Sequence, residues 1–80
     1  DQEGGRVTRT KEIAPVCPSA VDLAAAGRPD WIAQAGALTA DLLRLLGVNM
    51  NFAPVLDIDH FPGLQNALRE RCWGRDPQRI

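Results

Sequence analysis

The sequence predicts an α/β fold built on a parallel sheet, either open or closed into a barrel, and three observations carry that expectation. Apolar residues recur at helical spacing through Ile32, Ala35, Leu38, Leu42, Leu45 and Leu46. A mostly apolar stretch, Val48 to Leu56, follows at once between Gly47 and Asp57. Its near-continuous hydrophobicity suits a strand covered on both faces. The order of elements, strand end, loop, helix, strand, loop and start of helix, is that of repeated crossover units. In either architecture ligands sit at the carboxyl ends of strands, so the segments to search are Asp1 to Arg6 and Asp57 to Arg71.

The chain opens on Asp1-Gln2-Glu3-Gly4-Gly5-Arg6-Val7, an acid, two adjacent glycines and a base at what reads as the end of a strand. With no Met and no lead-in strand, the segment reads as the edge of an internal fragment. Arg6 to Val16 is a polar connection, and Pro15 and Pro18 deny its end regular pairing. Ser19 can cap a short helix over Ala20 to Ala26, with Asp22 beside the free amides of the first turn and Gly27 as the stop. Arg28-Pro29-Asp30 restarts the chain, with Asp30 as the N-cap of the long helix that Gly47 ends. The Phe and Val content of Val48 to Leu56 suits a strand, although Pro54 removes one ladder donor. Asp57 to Gly63 is loop, Leu64 to Glu70 has the length of a helical turn or two, and Asp76-Pro77 is an N-cap with proline at the first helical position.

Composition bounds the function. With 45% hydrophobic residues, 24% charged residues and a net charge of −1, the 80 residues describe ordinary globular sequence. The nine Lys and Arg are interspersed with ten Asp and Glu, which leaves no electrostatic footprint for nucleic acid. No apolar run is long enough to cross a bilayer, so no membrane partner is expected. Cys17 and Cys72 match no metal or redox spacing and read as free thiols packed as small hydrophobes, which leans towards a reducing, cytoplasmic compartment. His60 is the single histidine, and neither count nor spacing supports a metal site or a Cys-His nucleophile pair.

Three blocks then become specific in combination. Asp1-Gln2-Glu3-Gly4-Gly5-Arg6-Val7, Gly47-Val48-Asn49-Met50-Asn51-Phe52-Ala53-Pro54-Val55-Leu56-Asp57, and Arg71-Cys72-Trp73-Gly74-Arg75-Asp76-Pro77 occur in this order over nearly the whole chain. Together they resemble the N-terminal barrel domain of glycoside hydrolase family 3. The D-Q-E-G-G-R-V form looks like that family's β-N-acetylhexosaminidase branch; its β-glucosidase branch more often places a histidine and glycine after the acid. The resemblance implies a partial (β/α)8 TIM-type barrel, with 80 residues making roughly a third of the ~250 that a barrel needs. Residues 1 to 80 would then be a fragment of that domain and would need the remainder of the parent barrel to fold.

By the same resemblance Asp1 matches the acid that binds sugar hydroxyls, and an ionised carboxylate can accept from two neighbouring hydroxyls at once. Arg71 matches the arginine that meets the same sugar from the next loop, and its donor fork can also hold a nearby carboxylate. A plain Asp1–Arg71 salt bridge between two loops is the structural alternative. Gly4 and Gly5 would let backbone turn sharply and approach the ligand. Glu3 and Arg6 either line the pocket or brace the turn, Asp57 is placed behind the site as a group that fixes loop geometry, and Trp73 is either a sugar platform or wall. Trp31, at a helix start, reads as packing.

Asp57 and Asp59 invite assignment as the two carboxylates, about 5 to 5.5 Å apart, of a retaining glycosidase. The resemblance argues against it, since the family nucleophile is an aspartate on a much later strand and the proton is handled by a histidine paired with an aspartate, both beyond Ile80. His60-Phe61-Pro62-Gly63 mimics the family's K-H-F-P-G-x-G loop but precedes Arg71 and has Asp59 in place of the lysine, so it reads as a lookalike. The expected parent is a retaining β-N-acetylhexosaminidase-like hydrolase cleaving O-glycosyl bonds at a non-reducing end, without metal or organic cofactor. These residues would contribute carbohydrate binding but no catalytic group, and the isolated segment would be inactive. A β-glucosidase or β-xylosidase of the same family, or a non-catalytic sugar-binding module, is the alternative.

Overall fold

The computed structural model of the chain describes residues 1–61 and 63–80, and among them two helices stand in order, α1 over Ala20–Ala26 and α2 over Pro29–Leu45. Pro62 of the His60 to Gly63 lookalike lies outside the described residues. Helix α1 has the expected ends. Ser19 is extended, its Oγ accepts from the Asp22 backbone N–H at 3.3 Å and donates to Asp22 Oδ2 at 2.8 Å. One hydroxyl thereby satisfies an amide of the first turn and fixes the carboxylate that favours it. Gly27 closes the helix in the left-handed region, with its N–H donating to the Ala24 carbonyl at 3.1 Å.

Helix α2 begins two residues earlier than expected, at Pro29, with Arg28 and not Asp30 at the cap position. Proline suits the first helical position because its φ is pre-set and its missing N–H would be unpaired there. Asp30 sits inside the first turn and takes the Arg28 guanidinium on both oxygens, at 3.3 and 2.8 Å. Arg28 also lies over the Trp31 ring, 4.7 Å from its centroid. Trp31 therefore packs on a guanidinium at the surface, 44% exposed, rather than in a core. At the other end Gly47, at φ +82°, donates to the Arg44 carbonyl and Val48 donates back to Leu43. These two bonds form a Schellman motif, which satisfies carbonyls that the helix end leaves free.

Val48 to Leu56 corrects the strand expectation, for no strand ladder forms among the described residues. The segment keeps the alternation of a strand: Asn51, Ala53 and Val55 turn inward and are half-buried, while Phe52 and Leu56 are 77% and 67% exposed. A strand is defined by its neighbour's hydrogen bonds, and here no neighbouring segment supplies them. Burial on both faces is accordingly not found. Leu64 to Glu70 forms turns rather than a helix, and Asp76 begins only one turn, through the Gln78 N–H to its Oδ1 and the Arg79 N–H to its carbonyl, both at 3.0 Å. Of the α/β crossover unit expected from sequence, the described residues show the helix and an unpaired extended segment after it, with no sheet.

The buried apolar residues are few: Ala20, Leu23, Leu43 and Cys72. Around them Gln2, Thr8, Thr10 and Ser19 are buried polar residues. Every buried polar side-chain atom among the described residues has a hydrogen-bond partner, as a dry interior requires. Cys17 and Cys72 are free thiols, and no helix among the described residues is long and apolar enough to cross a membrane.

Candidate functional site

The first ten residues fold back on themselves and are fastened to the segment after α2. Glu3 N–H donates to the Val7 carbonyl at 2.9 Å and Val7 N–H returns to Gly4 at 3.2 Å, which closes a tight turn over Gly4 to Val7. Gly4 (φ +88°) and Gly5 (φ +53°) supply the left-handed backbone. A Cβ on Gly4 would lie 2.4 Å from the Pro18 carbonyl oxygen, and one on Gly5 would lie 2.7 Å from Ser19 Cβ. The glycines are thus required by the approach of Cys17 to Ser19, and Gly5 N–H donates to the Cys17 carbonyl at 2.8 Å.

Gln2 ties this turn to the extended segment. Its backbone N–H donates to Asn51 Oδ1 and Asn51 Nδ2 donates to its carbonyl, both at 2.9 Å. Its side chain accepts from Arg9 N–H at 2.7 Å and donates to Thr10 Oγ1 at 3.1 Å. One buried glutamine so uses backbone and side chain to hold three segments. Neither Gln2 nor Asn51 stood out in the sequence, although an amide inside an otherwise apolar run was the available signal for Asn51.

With that frame fixed, Glu3 meets Arg71 across 68 positions of sequence. Arg71 Nε donates to Glu3 Oε2 and Nη2 to Oε1, both at 2.9 Å, while Nη1 donates to the Ala67 carbonyl at 3.0 Å. Glu3's side chain is 7% exposed and Arg71's 28%, so the pair has an enclosed end and an open one. The Glu3 hydrogen bond foremost, offset in part by desolvation and then reinforced by nearby negative groups that include Asp57, holds the guanidinium above its already high ordinary pKa. Asp1 is not the partner of Arg71: it is exposed and makes no hydrogen bond among the described residues. Asp1 and Glu3 stand two positions apart, and it is the longer, enclosed glutamate that reaches the guanidinium.

The remaining candidates divide. Arg6 donates from Nη2 to the Asn66 and Ala67 carbonyls at 3.2 and 3.3 Å, and so braces the same turn that Arg71 holds. Asp57 is exposed and acts on Arg71 only through its field. Trp73 is half-buried and lines, with Glu3, Arg71, Asn51, Ile32 and Leu43, a cavity of about 330 Å³ between α2 and the extended segment. Gly4, Gly5 and Arg6 lie outside that lining. The cavity is apolar along the helix and polar at the Glu3–Arg71 end, a combination that orients a ligand by a few polar groups within an apolar wall. Cys72, next in sequence to Arg71, is buried, and burial first and the Asp59 and Asp57 charges second push its thiol pKa up from the usual 9.0. Among the described residues no group of histidines, cysteines and carboxylates could hold a metal ion.

Comparison with known proteins gives a consistent picture. The family model described as "Glycosyl hydrolase family 3 N terminal domain" matches residues 1–80. A beta-hexosaminidase of Methylococcus capsulatus is 39% identical over 83 residues, covering 100% of this chain and 24% of the relative. One from Nitrosospira multiformis is 37% identical over 86 residues with the same two coverages. The beta-hexosaminidase LpqI of Mycobacterium tuberculosis is 32% identical over 81 residues, 100% of this chain and 21% of the relative. The chain thus spans about a quarter of the length of these curated relatives. No solved structure matches it.

Proposed function

We propose, since this chain belongs to glycosyl hydrolase family 3 by a match over all its residues, that it forms the sugar-binding part of a retaining β-N-acetylhexosaminidase-like glycoside hydrolase. Three curated relatives that align with 100% of this chain bear the name beta-hexosaminidase. The observation that carries the reading is the meeting of the first turn with Arg71: two segments at opposite ends of the chain converge on one polar edge. The substrate is a carbohydrate with an O-glycosyl bond at a non-reducing end. Asp1 and Arg71 bind its hydroxyls, the exposed carboxylate accepting and the guanidinium donating. Arg71 is oriented from behind by Glu3, and Trp73 forms wall beside it.

Bond cleavage with retention needs a nucleophile and a proton-handling group, and the family pattern assigns neither to residues 1–80. The fold proposed for the intact domain is the (β/α)8 barrel, with Val48 to Leu56 as one of its strands. Its strand-like alternation and its unpaired backbone support that reading. The test is hydrolysis by a catalytically complete protein that carries this segment. Release of p-nitrophenol from the N-acetyl-β-glucosaminide is expected without added metal, and none from residues 1–80 alone. Turnover of the β-glucoside with none of the N-acetylglucosaminide would overturn the substrate assignment.

A further inference from the structure

We infer that Glu3 is a positioning residue for Arg71, holding one side of the guanidinium so that its remaining donors are presented to substrate oxygens. The inference rests on the reading of Arg71 as a sugar-binding residue. A guanidinium carries five N–H donors. In Arg71 the Nε donor and one Nη2 donor go to Glu3, and one Nη1 donor goes to the Ala67 carbonyl. Among the described residues two donors remain, one on each terminal nitrogen, on a side chain 28% exposed at the edge of the cavity. Glu3 has no corresponding freedom. Both its oxygens are engaged, its side chain is 7% exposed, and its backbone is tied to Val7 directly and to Asn51 through Gln2.

This division makes Glu3 work through Arg71. An arginine on a flexible stem would lose its rotamer freedom when the sugar arrives, which weakens binding; one already held by a fork bears that loss during folding. The second oxygen matters as much as the charge. Glu3→Gln keeps the shape but turns one acceptor into an N–H donor facing a guanidinium donor, so the fork opens. Glu3→Asp keeps both oxygens on a shorter stem.

The experiment uses a catalytically complete protein carrying this segment, with p-nitrophenyl N-acetyl-β-glucosaminide as probe. Glu3→Gln is expected to raise KM about 10-fold, the equivalent of one charge-assisted hydrogen bond, with kcat changed by less than about twofold. Arg71→Ala should raise KM at least as far, and Glu3→Gln added to it should do nothing more. Full multiplication of the two effects in the double variant would overturn the inference, as would a KM for Glu3→Gln equal to the parent's. A purely structural Glu3 would lower the melting temperature and leave the KM of the folded protein unmoved. Should Glu3→Gln fail to fold, Glu3→Asp gives the same comparison, with an intermediate KM expected and an unchanged one overturning the inference. An unchanged KM for Arg71→Ala removes the sugar-binding reading itself, a result separable from any result at Glu3.

Discussion

At the residue scale the site depends on groups whose chemistry is ordinary and whose placement is not. Gly4 combines a left-handed φ of +88° with a virtual Cβ 2.4 Å from the Pro18 oxygen, so both sterics and backbone oppose any side chain. Gly4→Ala should destabilise the folded protein by about 2 kcal/mol or more, read as a lowered denaturant midpoint; an unchanged midpoint would show that the turn can open. Cys72 carries a pH dependence whose sign follows from its raised thiol pKa. Its favourable contribution is present below the usual 9.0 and is lost as pH rises through the higher folded value. In a Cys17→Ser background, labelling of Cys72 by a thiol reagent should be slow at neutral pH and accelerate only in alkali. Rapid labelling at pH 8 would contradict it. The choice of Glu3 over Asp1 as the partner of Arg71 belongs to this scale too. The sequence displays two acids two positions apart, and only the reach and enclosure of the glutamate decide between them.

At the element scale, what was legible in the sequence is what neighbours within four residues determine. Ser19, Asp22 and Gly27 specify α1 by themselves, and their bonds are the expected ones. Gly47 ends α2 for the same local reason. Asp30 has the chemistry of a cap but is not one, because Pro29 occupies the first helical position and leaves the cap to Arg28. Val48 to Leu56 was not legible as it stands, since pairing is a property of two segments and the sequence of one cannot supply the other. Of the candidate site, Arg71 and the acidic glycine turn stand out in the sequence, whereas the Gln2–Asn51 clamp that ties that turn to the extended segment joins residues 49 positions apart. Two glycines test the element-level account against each other. Gly36 lies within α2 with open space around its Cβ direction, so Gly36→Ala should stabilise by about 0.5–1 kcal/mol. Gly47, at φ +82° in the Schellman turn, also meets no neighbour, yet Gly47→Ala should destabilise by about 1 kcal/mol because the cost is in the backbone. Thermal melts that move in the same direction for both would mean that helix propensity, and not the cap, governs this end.

At the scale of the whole molecule the surface is too large for its mass. The chain exposes 5960 Å², against the about 4,700 Å² expected of a folded monomer of 8.7 kDa. Large apolar side chains contribute to it. Leu38 and Leu45 on α2, with Met50, Phe52 and Leu56 on the extended segment, are each 64% exposed or more. Among the described residues no large side chain is fully buried, so much of the apolar area that would offset chain entropy is still in water. The extended segment adds unpaired amides and carbonyls along the same surface, and such an edge templates further pairing. Residues 1–80 in isolation should therefore associate as concentration rises, with a sedimentation coefficient that increases and a broad, weakly cooperative circular dichroism melt. Phe52→Lys together with Leu38→Lys should reduce that association while leaving the α1 and α2 caps intact, because both positions are solvent-facing here. In a catalytically complete protein, if these faces are covered as a barrel requires, the same pair should instead abolish soluble expression. A sharp, concentration-independent transition of the isolated chain would overturn the argument, since a monomer with this surface would then be stable without anything laid against it.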